Sequence, residues 1–187
     1  MKKALLLFVA FLLPVLIYLF LKSFGKNEFD VPVLYTDSMS VSVPCYGNNY
    51  KLPYHVPDSL LKTFQWDSTS LFTVVVFENE SKEDQHERSI QLTRVMTEFK
   101  NEPLGIIHML GTHTNVVSGN NGLVTQRVLM SDTNLFKIKT CFFLLNSKQD
   151  AVVIDKDRRI RGQYTLTKRE DADRMIMEEL NILFKRY

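Results

Sequence analysis

Cysteine is scarce in this chain of 187 residues, which has only Cys45 and Cys141, far apart in the sequence. That excludes a CxxC redox pair and any clustered thiolate zinc site. Proline is scarce too, and none follows Pro103. The only histidines are His55, His86, His108 and His113. An excess of one charge is also missing: 23 Lys and Arg face 21 Asp and Glu, a net charge of +2. So small a balance gives no strong pull towards nucleic acid, and no nucleic-acid partner is expected. Low-complexity tracts and internal repeats are lacking. Core-forming material is ample, with thirteen Phe and seven Tyr, enough for one packed domain with an appendage.

The N-terminus is built for an apolar solvent. Lys2-Lys3 precede an uncharged run from Ala4 to Leu21, and Lys22 and Lys26 follow it. A helix over that run is roughly 27 Å long at ~1.5 Å per residue, close to the thickness of a bilayer core. A cleaved signal peptide is the competing reading. Its apolar region is shorter and ends in small residues, whereas Ser23-Phe24-Gly25 makes a poor cleavage site. Pro14 is tolerated inside a membrane helix. The expectation is a single-pass transmembrane helix in the cell membrane, N-in, with the rest of the chain on the extracytoplasmic (periplasmic) side. Residues 1–25 are then the membrane anchor, 26–57 a stalk and edge segment, and 58–187 the folded domain.

The stalk is punctuated by Pro32, Pro44, Pro53 and Pro57, and Val41-Ser42-Val43 alternates as a short strand would. Tyr46, Tyr50 and Tyr54 are expected to pack on the domain flank. In the domain, Phe72 to Phe77 is a continuous apolar run, the mark of a strand buried on both faces. Leu92, Val95, Met96 and Phe99 then recur with helical spacing. Leu104 to Leu110 reads as a second buried strand, Leu123 to Met130 as a short helix, and Ala151 to Asp155 as a third strand. Lys156-Asp157-Arg158-Arg159 turns into a fourth, antiparallel strand over Ile160 to Tyr164. A closing helix presents Ala172, Met175, Ile176, Leu180 and Leu183 on one face. This order predicts an α/β, thioredoxin-like fold with two βαβ crossovers, a hairpin and a covering helix. Such domains display reactive cysteines in the turn after the first core strand. Here that turn runs from Glu78 to His86 and has none.

The anchor, the stretch Phe72–Phe99 and above all Asp150-Ala151-Val152-Val153-Ile154-Asp155-Lys156-Asp157-Arg158-Arg159-Ile160-Arg161-Gly162-Gln163-Tyr164 resemble the Sco/SenC family. The last stretch follows that family's LID-x-x-G-x-I-R-G-x-Y hairpin, with Arg158 or Arg159 in place of the turn glycine. The resemblance implies a membrane-tethered thioredoxin fold. It also implies copper-chaperone or thiol-reductase work in assembling the CuA centre of cytochrome oxidase. The family's chemistry uses a CxxxC pair and a distal histidine. The equivalent positions here are Ser81, Gln85 and, within a position or so, Ser147. None supplies a soft ligand for copper, and Ser81 has no obvious activating base. The resemblance therefore describes a degenerate member. No catalytic residue, metal ligand or cofactor is expected, and the protein is read as no enzyme. The expected role is a non-catalytic accessory or scaffold for a membrane or extracytoplasmic protein partner. Two alternatives stay open: a copper-binding or thiol-redox protein using other ligands, such as Cys141 with a histidine, and a structural subunit of a membrane complex.

The remaining features have plain readings beside sharper ones. Cys45 and Cys141 are either idle thiols or a disulfide tying stalk to domain, as an oxidising compartment permits. His108, Met109 and His113 form an H-M-x-x-x-H string, but neighbours on a strand point to opposite faces, so His108 and Met109 cannot converge. The acidic residues Glu78, Glu80, Glu83, Asp84 and Glu87 suit the start of a helix; a partner-binding patch is the alternative. Asn79-Glu80-Ser81 matches a glycosylation sequon, a common chance occurrence.

Overall fold

The computed structural model describes residues 3, 12–20, 31–39, 45, 50–64, 66, 69–78, 82–112 and 126–186. The chain divides into two units, residues 1–30 and 31–187. In the first, residues 12–20 are helical and exposed throughout, Leu16, Ile17, Tyr18 and Phe20 among them. Among the described residues no helix is long and apolar enough to cross a membrane. The transmembrane helix expected over residues 4–21 therefore finds no support there, and part of that span lies outside the described residues.

The second unit is organised by a five-stranded mixed sheet. Its strands are β1 (Phe72–Glu78), β2 (Leu104–Gly111), β3 (Gln126–Met130), β4 (Ala151–Asp155) and β5 (Ile160–Tyr164). They lie in the order β3-β2-β1-β4-β5. β1 pairs parallel with β2, and β2 with β3, whereas β4 runs antiparallel to both β1 and β5. The Val- and Ile-rich runs make the three central strands because both faces of the sheet are covered. One face carries Val74, Val76, Ile106 and Val153, which pack with Leu92, Val95, Phe99, Met175 and Leu180. The other carries Val75, Phe77, Met109 and Val152, with Leu61, Leu135 and Phe143.

Helices supply those layers. They are α1 (Asp58–Thr63), α2 (Lys82–Glu98), α3 (Asp132–Lys137), α4 (Arg169–Asp173) and α5 (Asn181–Arg186). α3 continues into a π-helical stretch, Ile138–Phe142, and another, Arg174–Leu180, joins α4 to α5. Two expectations change. Gln126–Met130 is strand, not the short helix expected over Leu123 to Met130, and the helix falls instead at Asp132–Phe142. Half-buried Gln126, Val128 and Met130 alternate with exposed Arg127 and Leu129, the two-residue period of an edge strand. The apolar letters of so short a run suit either element, and pairing with β2 decides. Nor does the second crossover lead to Ala151–Asp155: the strand parallel to β2 on its far side is β3, and β4, the expected third strand, enters antiparallel.

Residues 31–39 and 50–57, read from the sequence as stalk and edge segment, lie in this second unit along the β5 side. Leu34 N–H donates to the Ile160 carbonyl and Val56 N–H to that of Arg158, both at 2.9 Å. Val31, Tyr54 and Val56 are buried. The Val41-Ser42-Val43 alternation and Tyr46 lie outside the described residues.

Asp155 closes the β4–β5 hairpin. Its Oδ1 accepts from the backbone N–H groups of Asp157 (3.0 Å) and Arg159 (2.9 Å), and its Oδ2 accepts from Arg159 Nε at 2.8 Å. Arg158 takes the left-handed conformation, φ 65°, so it is the residue standing where a glycine would turn the chain freely. The glycine of R-G-x-Y has a steric reason: a Cβ at Gly162 would lie 1.9 Å from the Tyr164 hydroxyl. That hydroxyl bonds the Glu179 carboxylate, and Arg174 lies over the ring. Burial and then the charge of Glu179 push the Tyr164 hydroxyl pKa well above its ordinary value. The basic hairpin tip is largely neutralised from within. Arg159 lies 2.8 Å from Asp155 and 3.0 Å from Asp157, and Arg161, itself buried, lies 3.6 Å from Asp155.

Candidate functional site

The carboxyl end of β1 leads into α2, and this junction is where the reactive turn was expected. Of the three positions singled out there, Ser81 lies outside the described residues. Gln85 is half-buried in the first turn of α2. Ser147 is exposed in the loop before β4. That loop is closed on itself: Asn146 Oδ1 accepts from Lys148 N (2.9 Å) and Gln149 N (3.1 Å), while Gln149 Oε1 accepts from Asn146 N at 3.0 Å. A hydroxyl, an amide and a second hydroxyl are hard or neutral donors, so this set does not fit Cu(I), which selects thiolate and thioether. Among the described residues no group of three or more His, Cys, Asp or Glu is placed to hold a metal ion.

The only two sulfhydryl groups are used elsewhere. Cys45 and Cys141, 96 positions apart in the sequence, are joined in a disulfide with Cα atoms 5.3 Å apart. Both are buried. Cys141 belongs to the π-helical stretch after α3, whose neighbours Leu135 and Phe143 pack on the sheet face opposite that of α2. A wide helical turn ending here leaves carbonyls to be satisfied from outside the helix. Two tyrosines of the upstream segment do so: Tyr50 Oη donates to the Cys141 carbonyl (2.8 Å) and Tyr54 Oη to that of Phe142 (2.6 Å). Burial, aided by neighbouring Tyr50, raises the Tyr54 hydroxyl pKa far above its ordinary value, so it stays a donor.

What stands around the carboxyl end of β1 is a cluster of charge. Arg88 of α2 and Asp150, just before β4, are 1% and 2% exposed, and Arg88 Nη2 lies 3.1 Å from Asp150 Oδ2. Arg88 Nε donates to the same oxygen at 3.2 Å, and Asp150 Oδ1 accepts Leu166 N–H at 2.6 Å. Beside them His108 Nδ1 lies 2.6 Å from Glu78 Oε1. Burial pushes the Glu78 carboxyl pKa up. The hydrogen bond from His108 and the positive charges of His108, Arg88 and Arg127 outweigh that and hold it below its ordinary value. Met109, the neighbour of His108, is fully buried in the opposite core cluster, and His113 lies outside the described residues. His86 is exposed on α2.

Sequence reasoning read Glu78 as one of several helix-start acids and passed over Arg88 and Asp150. A signal was there for Arg88. It shares the helical phase of Leu92, Val95 and Phe99, so a charge stands where an apolar residue was due. Nothing local marked Asp150 as its partner, 62 residues away.

No family model matches the chain, and no curated protein matches it. Among solved structures it is similar to the thioredoxin domain of a thiol-disulfide oxidoreductase from Bacteroides vulgatus. The identity is 10% and the TM-score 0.46, over 60% of this chain and 81% of that one. It is also similar to BsSco, a member of the Sco family of cytochrome c oxidase assembly proteins, at 11% identity and TM-score 0.46, over 63% of this chain and 82% of that one.

Proposed function

We propose that this chain is a membrane-anchored, extracytoplasmic thioredoxin-like protein of Sco-like descent that serves as a non-catalytic accessory or scaffold for a protein partner. By resemblance, that partner belongs to respiratory oxidase assembly. One observation carries the reading. Both cysteines are tied together in a buried disulfide on one face of the sheet, while the helix that would carry reactive thiols packs on the other face with Gln85 in its first turn. A dithiol exchanger needs an attacking and a resolving thiol within reach. A buried structural disulfide suits an oxidising compartment. The wholly apolar, wholly exposed helical run at residues 12–20 has no polar face to offer water, which favours lipid as its surroundings.

Competition titration with a Cu(I) chelator tests this, comparing the native chain with a Ser81→Cys, Gln85→Cys, Ser147→His variant. No stoichiometric copper in the native chain and gain of tight binding in the variant is the expected result. Tight stoichiometric Cu(I) in the native chain overturns the reading and favours a working copper protein. Alkaline carbonate washing of membranes should leave the full-mass protein in the pellet; a soluble product shortened near Gly25 sinks the anchor. Recovery of a fixed-stoichiometry complex from gently solubilised membranes would turn the accessory into a structural subunit.

A further inference from the structure

The middle of β2, beside the start of β3, holds a buried polar atom that no described residue satisfies. His108 is 9% exposed, and its Nε2 is buried without a hydrogen-bond partner among the described residues. Nδ1 lies 2.6 Å from a Glu78 carboxylate oxygen and therefore carries a hydrogen, which fixes the ring and leaves Nε2 facing away from Glu78. Leaving such an atom unmatched is unfavourable, so a partner that fills the place is stabilised. Arg127 is the residue registered beside His108 in the parallel β2–β3 pair, so both side chains stand on one face of the sheet. It is exposed and makes no ion pair among the described residues. The nearby acids are engaged: Glu78 by His108, and Asp150 by Arg88. With His108 as imidazolium, the groups facing this place are His108, Arg88 and Arg127 against Glu78 and Asp150, an excess of one positive charge.

We propose that His108 and Arg127 form a binding site for a small oxyanion, a phosphate or a carboxylate. The Nε2 hydrogen donates to one oxygen and the Arg127 guanidinium to the others. Glu78 is a positioning residue that holds the imidazolium. With a hydrogen on each ring nitrogen, Nδ1 donates to Glu78 and Nε2 to the ligand. The site does not depend on the accessory role proposed above.

The test uses the full chain in detergent micelles with nitrogen-15 labelled histidine. It is titrated separately with inorganic phosphate and with acetate against chloride, at equal ionic strength and one fixed pH. A saturable shift of the His108 Nε2 resonance is expected. Arg127→Gln should weaken it about tenfold, the loss of one charge-assisted contact. Stronger binding of phosphate names that source, and stronger binding of acetate names a carboxylate. Arg127 is exposed on an edge strand, so its variant stays folded, and circular dichroism verifies this; His108→Gln serves as the second variant. Failure of both anions to move the His108 resonance, or affinity unchanged by Arg127→Gln, overturns the proposal.

Discussion

Asp150 and Asp155 stand at the two ends of β4, both almost fully buried, and they draw partners from different distances. Asp155 takes hydrogen bonds from its own hairpin, from residues two and four positions on. Asp150 takes Arg88 from 62 positions upstream and the Leu166 N–H from 16 downstream. One carboxylate shapes a turn, and the other fastens α2 and the segment after β5 to the sheet. The same side chain does short-range or long-range work according to whether its donors come from the neighbouring backbone or from another layer of the fold.

The sharpest way to break that comparison is the same isosteric change at both ends. Asp150→Asn keeps an acceptor for Leu166 but removes the charge opposite a guanidinium that is shut off from water. The expected loss is about 3–5 kcal/mol, read from urea unfolding. Adding Arg88→Met should restore most of it, because no buried charge is then left alone. A loss below about 1 kcal/mol for Asp150→Asn would place it among ordinary surface changes and end the argument for its long-range role. Asp155→Asn should cost less, about 1–3 kcal/mol, since an amide oxygen can still accept the two turn N–H groups, the part-exposed Arg159 turns to water, and buried Arg161, 3.6 Å away, keeps its hydrogen bond to the Val31 carbonyl. If the two changes cost the same, the contrast fails.

A third measurement follows pH. The Glu78 carboxyl pKa is lower in the folded protein than in the unfolded chain. Its contribution to stability is therefore fully present above the unfolded value and is lost as pH falls through the folded one. Unfolding followed from neutral pH into the acid range should show native stability falling further than that of Glu78→Gln. Parallel curves would show that the His108 contact contributes nothing. The smallest effect is expected at the hairpin tip. Arg158→Gly removes the side chain from a left-handed backbone and should raise stability by up to about 1 kcal/mol, visible as a slightly higher melting temperature. A fall would mean that the Arg158 side chain matters more there than its φ.

The parts of this protein that were legible in its sequence are those in which neighbours in the chain are neighbours in space. The apolar runs of β1, β2 and β4 and the stripe of α2 follow from local periodicity. The hairpin followed from its turn residues, although which arginine takes the left-handed position did not. β3 was misread because five residues of mixed polarity suit strand or helix, and only the open edge of β2 settles the choice. The candidate site was half legible. The absence of cysteine at Ser81 and Gln85 is plain in the letters, whereas the Arg88–Asp150 pair and the Glu78–His108 contact join separate elements that only folding brings together.

By itself, then, the sequence determined the hydrophobic runs, the thiol-free junction after β1 and the apolar N-terminal segment, because each is a property of contiguous residues. The tertiary structure decided the antiparallel entry of β4, the strand identity of β3, the joining of Cys45 to Cys141 and the partner of every buried charge. Those depend on which distant groups meet once water is excluded, and a buried charge or polar group must find a counterpart there whatever its distance along the chain.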